Sequence, residues 1–299
     1  MGWTGDAHAF APTADYLYDA AGFWRGWHKD IWSEQQRNGT MIPPSTIPVL
    51  PASEGTDGGN PTAVWGDVVV ANPREYYLSF GDSDMLAEQY VSAQAWMDTG
   101  ISRNEVGLWN RSTFQFGDWL DPTSPPDNPG DARTAKHLVA DAYLIRMTEV
   151  LANISETLGR QNLTERYRSQ HLDLLREFDA AWVTNNGSLA NDTQTAYALA
   201  IDFGLLPEGE VAEAGTRLRQ IIADNNHLVG TGFAGTPALG SALTKIGGAD
   251  DFYRMLLQTE VPSWLYQVAM NGTTTWERWN SLEPNGSVNA GTMTSFSRS

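Results

Sequence analysis

LVADAYLIRMTEVLANISETLGRQNLTERYRSQHLDLLREFDAAW, residues 138–182, is the stretch on which the fold turns. Leu138, Ala142, Ile145, Leu151, Ile154 and Leu158 fall near one face of a helix, and Tyr167, Leu174, Leu175, Phe178 and Trp182 near one face of the next. Gly159 and Asn162 mark the stop of the first and the start of the second, so the stretch reads as a helical hairpin.

Outward from it, the same period runs through residues 7–36, 62–80, 83–99, 192–203, 208–224, 236–247, 249–259 and 262–270, which makes about ten helical segments in all. The loops at 39–61, 104–132, 226–235 and 271–295 are rich in Gly, Pro, Asp and Trp and long for mere connections. Long loops on a rigid scaffold are where sites are built. Hairpin after hairpin predicts an all-α chain closing into a toroid of helical hairpins. The competing solenoid lacks its fixed period of about 34 to 45 residues.

Composition narrows the function. A chain of 299 residues, 41% hydrophobic and 18% charged, can bury a large core in one domain or at most two. The net charge of −17 repels phosphate backbones and anionic membrane surfaces, and no basic run offsets it, which argues against nucleic-acid partners. No stretch reaches the roughly 18 apolar residues of a membrane span. With no cysteine and with His8, His28, His137, His171 and His227 scattered, no metal site or other cofactor is expected.

The amino terminus, GWTGDAHAF at residues 2–10, is a turn signal running into a helix that Asp6 would cap, with Ala9, Phe10, Ala14, Leu17 and Tyr18 on its apolar side. Sequons stand at Asn38, Asn110, Asn153, Asn162, Asn186, Asn191, Asn271 and Asn285, an excess that favours a secreted glycoprotein. The first residues lack the basic and apolar regions that a signal peptide would show. The two facts are reconciled if the chain comes from a longer extracellular precursor.

The loops pair tryptophan with acid four times: GWTGD (Trp3, Asp6), VWGD (Trp65, Asp67), FGDWLDP (Asp118, Trp119, Asp121) and TTTWERWN (Trp276, Glu277, Trp279). A tryptophan face lies well on the C–H surface of a sugar ring, and carboxylates accept from its hydroxyls. Taken singly, tryptophan packs more often than it binds, and Glu277 is as readily a solvated or Arg278-paired carboxylate. Recurrence shifts the balance toward carbohydrate recognition. Breaking a glycosidic bond takes two carboxyl groups, one protonated and one ionised, and Trp276 and Trp279 would desolvate Glu277 and help it take a proton from water. The residues do not name its partner.

GWTGDAHAFAPTA, AVWGD, FGDWLDP, TQTAYALA, LVGTGFAGTPAL, VPSWLYQV and TTTWERWNSLEPNGSVNAGTMTSF, in this order from residue 2 to about 296, resemble the catalytic domain of fungal members of the inverting alpha-L-rhamnosidase glycoside hydrolase family. The resemblance implies an (α/α)6 six-hairpin barrel, with residues 1–299 as a single partial catalytic domain. One helix would be missing at each end, and so would the accessory β-domains. It implies release of terminal alpha-L-rhamnose with Glu277 as general base. Trp3, Asp6, Trp65 and Trp119 would hold the sugar, with Asp67 or Asp118 as polar support.

In that family the general acid is a Glu that would stand two positions before Met1, so a weakly active or inactive chain is expected. Arg298 stands where the family carries a pocket His. The implied partners are rhamnose-containing glycosides of flavonoid or plant cell-wall type, with self-association through the open barrel edge. The alternatives are a non-catalytic rhamnoside-binding paralogue and a six-hairpin glycosidase of another sugar specificity.

Overall fold

From residue 21 to residue 224, helices with a long continuous buried run alternate with helices buried along narrower stripes. In the computed structural model, which describes residues 2–37, 39–49, 59–184 and 188–291, the helices in order are α1 (Thr4–Leu17), α2 (Ala21–Arg37), α3 (Val68–Phe80), α4 (Ser83–Ala95), α5 (Lys136–Thr157), α6 (Gln161–Trp182), α7 (Gln194–Asp202), α8 (Val211–Asp224), α9 (Thr236–Lys245), α10 (Ala249–Leu256) and α11 (Trp264–Ala269). A π-helical turn, Trp96–Gly100, continues α4, and a 3-10 turn, Glu208–Glu210, leads into α8. Among the described residues the only strands are β1 (Gly2–Trp3) and β2 (Thr46–Ile47), an antiparallel pair with Gly2 opposite Ile47.

Residues 138–182 form the expected hairpin, α5 followed by α6, but the two helices bury differently. On α6 only Thr164, Tyr167, Leu174 and Phe178 are buried, the single stripe of an amphipathic helix. On α5 every residue from Leu138 to Ala152 except Arg146 and Glu149 is buried. The one-face reading of α5 was too narrow, because Val139, Ala140, Tyr143, Leu144 and Met147 carry apolar groups round to the other faces. The same contrast separates α3, buried continuously from Val68 to Pro73, and α7, buried from Gln194 to Ile201, from the striped α2 and α8. Alternating enclosed and striped helices are what a toroid of hairpins requires.

The stretch 7–36 is two helices rather than one, broken after Leu17. The loop before α3 extends through Asp67, so the helix expected from 62 starts at Val68. Asp6 lies in the first turn of α1 rather than capping it; Trp3 holds the cap position with φ −67 and ψ 130. Five helices, α5, α7, α8, α9 and α11, stop in one way. A residue of positive φ (Gly159, Gly204, Asn226, Gly247, Asn271) follows the cap. The amide after it reaches back to Ser155, Ala200, Ile222, Leu243 or Gln267 respectively.

The chain forms two compact units, one drawn from the residues up to Gln115 with Ala140–Phe178, the other from Phe116–Val139 with the residues from Asp179 on. In the first, α3 packs on α1 and α4, and Tyr90, Trp96, Trp109, Tyr167 and Phe178 are among the largest fully buried side chains. In the second, α7 packs on α8 and α9 around Tyr197, Leu199, Leu218 and Leu239. No helix among the described residues is long and apolar enough to cross a membrane. Asn38, Asn186 and Arg298 lie outside the described residues.

Candidate functional site

The expected site residues divide between the units: Trp3, Asp6, Trp65 and Asp67 in the first, Asp118, Trp119 and Glu277 in the second. In the first unit the β1–β2 pair delivers the chain to α1. Thr4 donates its amide to Ser45 O at 2.9 Å and its hydroxyl to Pro44 O at 3.2 Å, so α1 starts there. Trp3 and Asp6 are left half-buried, and a carboxylate in a first helical turn suits the helix dipole. The turn lies on Trp65: a Cβ at Gly5 would come within 2.6 Å of the indole, which is only 5% exposed.

Val64 has φ +70, a conformation that costs a β-branched residue about 1–3 kcal/mol. His8 Nδ1 meets its carbonyl at 2.9 Å, and Asp67 Oδ2 accepts its amide at 2.6 Å. The other Asp67 oxygen accepts from Trp96 Nε1 at 2.9 Å. The π-helical turn sets Trp96 there, and a Cβ on Gly66 would fall 2.5 Å from its ring. Asp67 is 1% exposed with both oxygens occupied by protein donors, so it clasps the turn and offers no oxygen outward. Burial pushes its carboxyl above the ordinary carboxylate value.

The second unit has a comparable knot. Asp118, fully buried, accepts from Thr195 Oγ1 at 2.5 Å, from the Gly232 amide at 2.8 Å and from the Gly235 amide at 2.9 Å. It joins the FGDWLDP loop, the start of α7 and the TGFAG loop, and burial raises its carboxyl too. Gly232 has no alternative, since a Cβ there would lie 2.5 Å from the carbonyl oxygen of Asp118. Gln194 supports the same loop, accepting from Gly230 N and donating to Leu228 O. Arg133 binds Asp121 at 3.2 Å and Gly230 O at 2.9 Å. Trp119 stays half-buried, edge-on to Phe116 at 5.4 Å, and Leu120 beside it has φ +60.

Around Glu277 burial alternates along the chain. Trp276 is buried edge-on against Tyr266 at 6.2 Å, with its amide on Gln267 Oε1. Arg278 is buried, donating to Ser124 O at 2.9 Å and Pro125 O at 3.3 Å. Trp279 donates Nε1 to Thr231 O at 3.1 Å and meets Trp264 edge-on at 5.3 Å. Glu277 itself is half-buried. Arg278 is thus committed to two carbonyls rather than held as a surface partner of Glu277, and Trp276 and Trp279 are seated by packing. Nothing in the motifs distinguished Trp96, Gln194, Thr195 or Arg278 as supports; the glycines of 230–235 were the available signal, because each sits against another segment's atoms.

Among the described residues no three metal-ligating side chains come together. Each unit by itself offers a half-buried carboxylate and a half-buried indole: Asp6 and Trp3 where β1 runs into α1 in the first, Glu277 and Trp119 on loops in the second. Such groups can accept from hydroxyls, cover an apolar ring face and take a proton from water.

The crystal structure of native alpha-L-rhamnosidase from Aspergillus terreus is similar to this chain with a TM-score of 0.95 and 55% identity, covering 99% of this chain and 34% of that one. That of the Streptomyces avermitilis alpha-L-rhamnosidase complexed with L-rhamnose has a TM-score of 0.88 and 32% identity over 99% of this chain and 27% of that one. An alpha-L-rhamnosidase from Alteromonas sp. is 33% identical over 285 residues, 94% of this chain. The chain spans about a third of the length of these relatives. The family described as bacterial alpha-L-rhamnosidase 6 hairpin glycosidase domain matches residues 1–298. With the enclosed and striped helices expected of six-hairpin folds, this places the chain in the bacterial alpha-L-rhamnosidase six-hairpin glycosidase domain family.

Proposed function

We propose that this domain hydrolyses terminal alpha-L-rhamnosides with inversion, Glu277 acting as the general base. The observation that carries the reading is the setting of Glu277: a half-buried carboxylate between two buried neighbours, Trp276 and Arg278, so that the backbone on either side of it is anchored. In an inverting reaction that carboxylate deprotonates a water on the face opposite the leaving oxygen, while an acid protonates that oxygen. The family resemblance puts the acid in a Glu two positions before Met1. Trp3, Asp6 and Trp119 offer the sugar contacts. Trp65, Asp67 and Asp118 serve from behind: Trp65 bears on the first turn of α1, and the two aspartates fix the loops.

The substrates proposed are rhamnose-containing glycosides of flavonoid or plant cell-wall type, handled outside the cell by a fungal glycoprotein. The exposed asparagines of four sequons, Asn153, Asn162, Asn271 and Asn285, support a glycosylated surface. Self-association is proposed through the apolar side chains that α1–α3 expose, Tyr16, Leu17, Tyr18, Phe23 and Leu78.

The test is hydrolysis of an aryl alpha-L-rhamnoside by the chain and by a version extended at its amino terminus to include that Glu, each with and without Glu277→Gln. Turnover in the extended version that Glu277→Gln lowers by on the order of 10²–10⁴-fold supports the reading. Unchanged turnover in the extended Glu277→Gln variant sinks the base assignment.

A further inference from the structure

We infer that Arg278 is a positioning residue that fixes the Glu277 carboxylate against the loop carrying Asp118 and Trp119. The inference rests on the reading of Glu277 as base and adds the device that aims it.

Arg278 is 4% exposed, and both terminal nitrogens donate to backbone carbonyls of consecutive residues, Ser124 and Pro125. Its Nε is buried with no partner among the described residues. A buried guanidinium with no carboxylate bonded to it is a costly way to fill space, and an apolar side chain of equal size would avoid the desolvation. A rigid planar fork, however, presents two nitrogens in fixed geometry to two successive carbonyls, which an apolar chain cannot do and an ammonium does only from one freely rotating nitrogen.

What the fork grips is the continuation of the FGDWLDP segment, six residues beyond Asp118. The same segment is fixed from its other end by Asp118 on the amides of Gly232 and Gly235 and by Asp121 on Arg133. The Glu277 loop meets it again near Gly291, where a Cβ would lie 2.6 Å from Pro126 Cα. The Arg278 carbonyl also accepts the amide and hydroxyl of Ser281, at 3.1 and 3.0 Å, so the turn after Glu277 is built on the same residue. Glu277 thus sits one peptide unit from a two-point attachment to a segment that is itself attached at several points.

The experiment uses the full chain and its amino-terminally extended version, as wild type, Arg278→Met and Arg278→Lys. Hydrogen exchange is followed over residues 118–131 and 272–291, and aryl alpha-L-rhamnoside turnover is split into kcat and KM. In Arg278→Met both loops should exchange severalfold faster while α7 and α8 keep their protection. In the version that turns over, kcat should fall on the order of 10²-fold with KM little changed, the signature of a misplaced catalytic group. Arg278→Lys, which keeps the charge and the donors but not the planar two-nitrogen fork, should recover part of both losses.

Wild-type exchange in both loops of Arg278→Met overturns the inference, as does wild-type kcat. If the Arg278→Met variant does not fold, wild-type exchange and kcat in Arg278→Lys overturn it equally. The base assignment fails separately: it falls if Glu277→Gln retains turnover, whatever the exchange shows.

Discussion

Asp67 and Asp118 stand in near-mirrored motifs, Trp-Gly-Asp and Gly-Asp-Trp. Each is buried, each sits near a bulky residue of positive φ (Val64, Leu120), and each spends both carboxylate oxygens on protein donors. Their reach differs. Asp67 takes one donor three residues back and one 29 residues on, so it closes a turn on its own neighbourhood. Asp118 takes donors 77, 114 and 117 residues away and closes three segments onto one another. Similar motifs next to tryptophan therefore solve different problems: the first shapes a loop, the second decides which loops are neighbours.

The sharpest way to break this contrast is truncation. Asp118→Ala leaves three buried donors without an acceptor and should cost about 4 kcal/mol, read as a lower urea midpoint. A loss near that of Asp67→Ala would mean the long-range contacts carry no extra weight. Gly232→Ala attacks the same knot from the other side, driving a methyl into the Asp118 carbonyl, and should cost about 3 kcal/mol. Asp67→Ala removes one bond inside a turn that Gln115 still braces through the Ala63 amide and one from Trp96, and should cost about 2 kcal/mol.

The smallest effect is on pH dependence. Burial raises both aspartates above their ordinary value of 3.8. A raised carboxyl binds its proton more tightly folded than unfolded. The stability it contributes is therefore complete below the unfolded value and lost as pH rises through the folded one. Asp67→Asn should flatten the dependence of the unfolding midpoint on pH above 3.8. An unchanged slope would show that Asp67 ionises in the folded chain as it does in the unfolded one.

Legibility in the sequence followed the range of the interactions. The α5–α6 hairpin and most helix limits were readable because periodicity and stop residues are local, down to Gly159. The enclosure of α5 was not, since it depends on what surrounds the helix, although the run Leu138–Val139–Ala140 already lacked a polar face. At the candidate site, Trp–acid pairing singled out four segments but did not separate the fully buried aspartates from the half-buried carboxylates. Glu277 and Asp118 look alike as letters, and only the structure shows that one carboxylate is half-buried while the other is fully buried and bonded to three donors from distant segments. Arg278 beside Glu277 suggested an ion pair, and the structure directs it to carbonyls more than 150 positions away in the chain.

The shared way in which α5, α7, α8, α9 and α11 stop has an evolutionary corollary. Each of these helices carries its own terminator within the two residues after its cap, so its length is independent of the next connecting segment. Those segments can then lengthen, shorten or exchange residues while the hairpins keep their register. A scaffold punctuated in this way separates the helices, whose ends are set internally, from the connecting segments, which can change loop by loop without moving a helix end.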